Sequence, residues 1–140
     1  MNEALILTVC NRDKVESHEF RVPHLMISIS APNDKPKLPI NKNRIATLSL
    51  GFHDIDKSLK EYKIFSKKDA YKIFEFLKLN KSIKNIVIHC DAGISRSPGV
   101  AAALAKIFNK DDSLYFKTYL PNRLVYKTML DVWWEITGLI

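Results

Sequence analysis

The sequence predicts an α/β fold: a central, largely parallel sheet of about four to five strands flanked by helices. Three observations carry that prediction. Short apolar runs of strand length recur at residues 4 to 9 (ALILTV), 25 to 30 (LMISIS), 45 to 52 (IATLSLGF) and 85 to 89 (NIVIH). Stretches of helical periodicity lie between and after them, and no segment repeats. The 140 residues are 46% apolar and 26% charged, which fits one globular domain spanning residues 1 to 140 and long enough to bury a core.

The first run follows Met1, Asn2 and the acidic Glu3. With no basic residues ahead of it, it reads as a first strand, not a signal peptide. The second and third runs alternate in part. Between them APNDKPKLPIN carries three prolines and marks a loop. Ser66 is placed to cap a helix beginning at Lys67, with Asp69 in its first turn and Ala70, Ile73, Phe74 and Leu77 at helical spacing. A further helix starts near Ser97-Pro98, since proline suits a first turn, and runs through GVAAALAKIF; its small apolar character all round predicts a buried position. Two more helical stretches follow, around DDSLYFKTY and, after Pro121, through NRLVYKTMLDVWWEI.

Composition narrows the function. No apolar run approaches the ~18 residues of a membrane span, so no membrane partner is expected. Two cysteines, Cys10 and Cys90, do not make a secreted disulfide framework; a reducing, cytoplasmic setting fits. The net charge is +7, which raises nucleic acid as a partner. Most of the excess sits in residues 57 to 84, where nine lysines face Glu61, Asp69 and Glu75. That segment holds the amphipathic helix, so a solvated lysine face accounts for it. His18, His24 and His53 have no metal-ligand spacing, and no metal or organic cofactor is expected.

The chemistry concentrates in HCDAGISRSP, residues 89 to 98. It joins a buried strand to a helix, the place where ligands bind in parallel sheets. Cys90 and Arg96 bracket a loop short enough for thiol and guanidinium to face a common centre. The amides of Asp91, Ala92, Gly93, Ile94, Ser95 and Arg96, with the N-terminus of the following helix, offer partial positive charge to a phosphoryl group there. Such surroundings favour a thiolate, the competent nucleophile. Arg96 provides a planar fork for two phosphoryl oxygens. Gly93 permits a backbone turn that a side chain obstructs, and Ser97 is placed to give its hydroxyl to the sulfur.

The stretch resembles the HCxxGxxRS signature of the cysteine-dependent phosphatases of the protein tyrosine and dual-specificity superfamily, with His89, Cys90, Gly93, Arg96 and Ser97 at its fixed positions. The resemblance implies a small phosphatase of dual-specificity type: a phosphoric monoester hydrolase working through a cysteinyl-phosphate. It also implies an aspartic acid some thirty residues upstream that protonates the leaving oxygen. SLGFHDIDKS offers two. Continuing the alternation of Leu48, Leu50 and Phe52 favours Asp54, with Asp56 as second choice. PNRLVYKTMLDVWWE is similar to the PNxGFxxQL segment of these enzymes at Pro121, Asn122 and Leu130, but has Leu124-Val125 for the Gly-Phe pair.

The expected substrate is a phosphorylated protein or a small aryl phosphate, since Asp91 adds negative charge to the loop and argues against a highly phosphorylated headgroup. An RNA 5′-phosphatase and a catalytically weak phosphate-binding interaction module stand as alternatives. Cys10, followed by NRDKVES without a glycine, reads as a core residue at a strand end.

Overall fold

The computed structural model describes residues 4–138. All four strands lie in one sheet: β1 (Ile6–Cys10), β2 (His24–Ser30), β3 (Arg44–Gly51) and β4 (Asn85–His89). The order across the sheet is β1-β4-β2-β3 and every pairing is parallel, as predicted for strands joined through helices. The helices are α1 (Arg12–Ser17), α2 (Lys67–Leu79), α3 (Arg96–Leu104), α4 (Ser113–Thr118) and α5 (Arg123–Thr137).

Position in the sheet decides how each strand is buried. β3, at an edge, alternates exposed and covered residues from Ile45 to Leu50. In β2 all seven residues are buried. Its partial alternation of Ser with Ile therefore does not mark a solvent face; the strand is covered on both sides, as central parallel strands are.

Two clusters cover the two faces. The larger gathers Leu25, Ile27, Ile29, Ile86 and Ile88 from the sheet, Ile73, Phe74 and Leu77 from α2, Val100, Ala101, Ala103 and Leu104 from α3, and Val125, Met129 and Val132 from α5. The smaller contains Cys10, Val15, Met26 and Val87, with Phe20 and Leu38 against it. Val15 belongs to α1, a six-residue helix capped by the Asn11 side chain on the N–H of Lys14 and not expected from the sequence.

Helix α2 begins where predicted. Ser66 and Asp69 exchange side-chain and backbone hydrogen bonds in a capping box. Lys67 and Tyr71 of α2 both reach Glu135 of α5, clamping the two helices. Helix α3 is buried at every position. It starts one residue before Ser97 and passes into a π-helical turn, Ala105–Asn109, instead of continuing as regular α-helix through Phe108. That turn presents Asn109 to Leu5, whose N–H and C=O it satisfies at 2.7 and 3.0 Å. At Gly99 an added Cβ meets the Asn122 carbonyl oxygen at 3.0 Å and Val125 at 3.1 Å, so α3 and the start of α5 approach too closely for a side chain. Trp133 packs edge-on or tilted against Phe74 and Phe108. Among the described residues no helix is long and apolar enough to cross a membrane.

Candidate active site

The carboxyl ends of the parallel strands open onto one surface, and four segments meet there. Strand β4 carries Cys90 out of the core. The loop 91–95 leads into α3. The segment that follows β3 runs from Phe52 to Asp54, and the turn after β1 brings in Asn11 and Arg12.

Cys90 is 2% exposed. Its Sγ lies 3.1 Å from Oγ of Ser97 and receives the backbone N–H of Ser97 at 3.4 Å. The sulfur thus faces the first turn of α3, where unpaired N–H groups and the helix dipole favour negative charge.

The loop backbone has a definite polarity. The carbonyl of Asp91 accepts from Arg12 N–H at 3.1 Å, that of Ile94 from Leu120 N–H at 3.0 Å, and that of Ser95 from the N–H groups of Gly99 and Asn122, each at 2.9 Å. These carbonyls are turned toward the surrounding elements. In a trans peptide the N–H points opposite to its C=O, and no peptide among the described residues is cis, so the amides of Ala92, Ser95 and Arg96 point away from those elements. Gly93 makes this possible. Its φ is +70°, and a Cβ there would lie 2.8 Å from the Cys10 carbonyl oxygen, so any side chain would collide with the end of β1.

Arg96 is held at two points. Nη1 donates to the carbonyl of Phe52 at 3.0 Å, and Nη2 to Oδ2 of Asp91 at 3.3 Å. Nε is buried without a hydrogen-bond partner among the described residues. Asp91 is shared: its Oδ1 is 3.5 Å from Nη1 of Arg12, and Arg12 is itself fixed by Asp34, Glu16 and the carbonyl of Lys35.

Of the two candidate acids, Asp54 is tied to the loop. Its Oδ1 accepts the hydroxyl of Ser95 at 2.8 Å and the amide of Asn122 at 3.0 Å, and Oδ2 has no donor among the described residues. Asp56 has no hydrogen bond to the loop among the described residues. Both aspartates line one cleft of about 400 Å³ together with Lys57, Ser95 and Asn122. Ala92 and Ile94 are exposed.

Asn122 enters the sequence reading only through the resemblance of its segment, and Ser28 does not enter it. Asn122 caps α5 through Oδ1 on the N–H of Val125 and spends its amide on Asp54 and on the carbonyl of Ile55. Only its position in the PN pair pointed to it. Ser28 of β2 meets Nε2 of His89 at 2.6 Å in the buried core. The His89 ring is therefore anchored on β2, and burial pushes it below the usual imidazole range against the weaker opposing pulls of the Cys90 backbone and the Asp91 charge. Cys10 pairs with His89 in the sheet and belongs to the smaller cluster, whereas Cys90 belongs to the larger. The two thiols lie on opposite faces of the sheet, and burial raises Cys10 above the ordinary thiol range.

No family model matches the sequence, and no curated protein matches it. Solved structures do. The human tyrosine phosphatase-like serine/threonine/tyrosine-interacting protein aligns over 96% of this chain and 93% of its own, at 17% identity and a TM-score of 0.65. Human DUSP28 aligns over 96% and 95%, at 11% identity and a TM-score of 0.64. A mouse putative dual specificity phosphatase complexed with zinc tungstate aligns over 95% and 85%, at 12% identity and a TM-score of 0.65. Across nearly its whole length, this chain has the fold of the dual-specificity phosphatases.

Proposed function

We propose that this protein is a phosphoric monoester hydrolase acting on phosphoproteins, with Cys90 as nucleophile. The observation that carries the reading is the convergence of a buried sulfur held by Ser97, a guanidinium edge and outward-turned carbonyls within the one segment 90–97. The thiolate of Cys90 attacks phosphorus, forming an S–P bond as the P–O bond to the leaving group breaks. Arg96 and the loop amides hold the three transferring oxygens. Asp54, through Oδ2, gives its proton to the departing oxygen. A water molecule then attacks phosphorus, Asp54 takes a proton from it, and the S–P bond breaks to return the thiolate and release phosphate. Ser97, 3.1 Å from the sulfur, stabilises that returning thiolate.

The position of Asp54 supports its role over that of Asp56, because hydrogen bonds from Ser95 and Asn122 hold it against the loop. The cleft containing both aspartates is open and lined by Leu120, Pro121 and Arg123, which suits a phosphorylated side chain presented on a polypeptide. Cys90→Ser should abolish turnover of phenyl phosphate while tungstate binding, followed by calorimetry, persists. Undiminished turnover would refute the assignment.

A further inference from the structure

Arg96 is the group a phosphoryl oxygen pair must reach, yet the structure gives part of it to another anion. A planar guanidinium binds two oxygens through adjacent N–H groups along one edge. Nη1 is committed to the carbonyl of Phe52 at 3.0 Å. The Nε–Nη2 edge remains. Nε is buried and has no partner among the described residues, and Nη2 carries the Asp91 carboxylate at 3.3 Å. A phosphoryl group taking this edge shares Nη2 with Asp91, which places two anions within a few ångströms of each other in a site whose cation is only 9% exposed. Either Asp91 withdraws or binding is weakened by repulsion.

The structure also supplies a destination. The other oxygen of Asp91 lies 3.5 Å from Nη1 of Arg12. Arg12 does not depend on Asp91 for its place: Asp34, Glu16 and the carbonyls of Asp34 and Lys35 fix it, and its own N–H holds the Asp91 carbonyl at 3.1 Å. The Asp91 side chain is 43% exposed, so it has room to turn. We propose that Asp91 is a competing anion on the phosphate site, shared between Arg96 and Arg12, and that Arg12 sets oxyanion affinity by drawing Asp91 off Arg96. Both are positioning residues, since each acts through Arg96.

This rests on the phosphatase reading of the loop, and the test separates the two. Tungstate and inorganic phosphate are titrated by calorimetry into the wild type, Asp91→Asn, Arg12→Gln and the double variant, with thermal melts run alongside. Asp91→Asn should tighten both oxyanions about tenfold, the size expected for removing one partly exposed charge near the ligand. Arg12→Gln should weaken them several-fold, and the double variant should match Asp91→Asn, because Arg12 has no role once the carboxylate is gone. If Asp91→Asn binds no more tightly than the wild type, or less tightly, Asp91 merely supports Arg96 and the proposal is overturned. A double variant as weak as Arg12→Gln overturns the coupling. If neither the wild type nor Asp91→Asn binds an oxyanion, the phosphatase reading falls, and this inference with it.

Discussion

Asn122 joins stability to chemistry in a way that substitution can take apart. It is 6% exposed and makes three side-chain hydrogen bonds, each of 3.0 Å: Oδ1 accepts from Val125 N–H to cap α5, and Nδ2 donates to Asp54 Oδ1 and to the Ile55 carbonyl. Loss of an N-cap costs about 1 kcal/mol, and each lost hydrogen bond about 0.5–1.5 kcal/mol. Asn122→Ala should therefore destabilise by roughly 2–4 kcal/mol, and Asn122→Ser, which can still cap but is too short to reach Asp54, by roughly 1–3 kcal/mol. In a chain of this size that places the melting temperature of the alanine variant roughly 10 °C below wild type and that of the serine variant about two-thirds as far. Activity should divide differently. Both variants remove one of the two donors on Asp54 and leave only the Ser95 hydroxyl, so both should lose the same part of the proton transfer, whose full worth is about 10²–10⁴-fold. With phenyl phosphate, whose leaving oxygen needs the proton, kcat should fall roughly tenfold or more; with 4-nitrophenyl phosphate, a better leaving group, it should fall less than about threefold. The assay is steady-state kinetics on both esters beside thermal melts. Equal losses on the two esters, or activity that tracks stability from serine to alanine, would show that Asn122 does not act through Asp54.

Two further outcomes follow from buried geometry. Gly93→Ala forces a left-handed φ on a residue with a Cβ, which costs about 1–2 kcal/mol, and drives that Cβ against the Cys10 carbonyl oxygen at 2.8 Å. Urea unfolding should show a loss above about 2 kcal/mol and oxyanion binding should disappear; a variant as stable as the wild type contradicts the close approach of β1. His89 is held neutral by burial, so the unfolded chain takes up its proton near the ordinary value of about 6.5 while the folded chain resists. The stability it contributes is complete above about pH 6.5 and declines as pH falls through the window below. Melting temperature measured from about pH 7.5 to about pH 5 should fall more steeply for the wild type than for His89→Gln, and equal slopes would remove His89 from the account.

Much of this architecture can be read from local pattern, and what cannot follows from contacts between distant residues. The four strands, the Ser66 cap and the 90–97 loop depend on neighbours in sequence, and all four strands fall within a few residues of the predicted runs. LMISIS alternates although β2 is central and buried at every position, and its Ser28 meets His89, 61 residues away. Helix α1 has six residues, too few to show a helical period. Arg12 lacks the glycine of a second phosphate loop and gains its meaning only from Asp91, 79 residues on. The alternation of β3 favours Asp54, yet the strand ends at Gly51; the Ser95 hydroxyl holds Asp54 against the loop, and its second donor, Asn122, lies 68 positions away.

The central claim is that phosphorus passes through the sulfur of Cys90. It is tested most directly by quenching turnover of phenyl phosphate in acid and mapping the phosphoryl group by peptide mass spectrometry, in the wild type and in Ser97→Ala, where the returning thiolate loses the hydroxyl 3.1 Å away. The account predicts a phosphoryl adduct on Cys90 that accumulates to a higher level in Ser97→Ala. Continued turnover with Cys90 unmodified in both proteins, or an adduct on any other side chain, would contradict it.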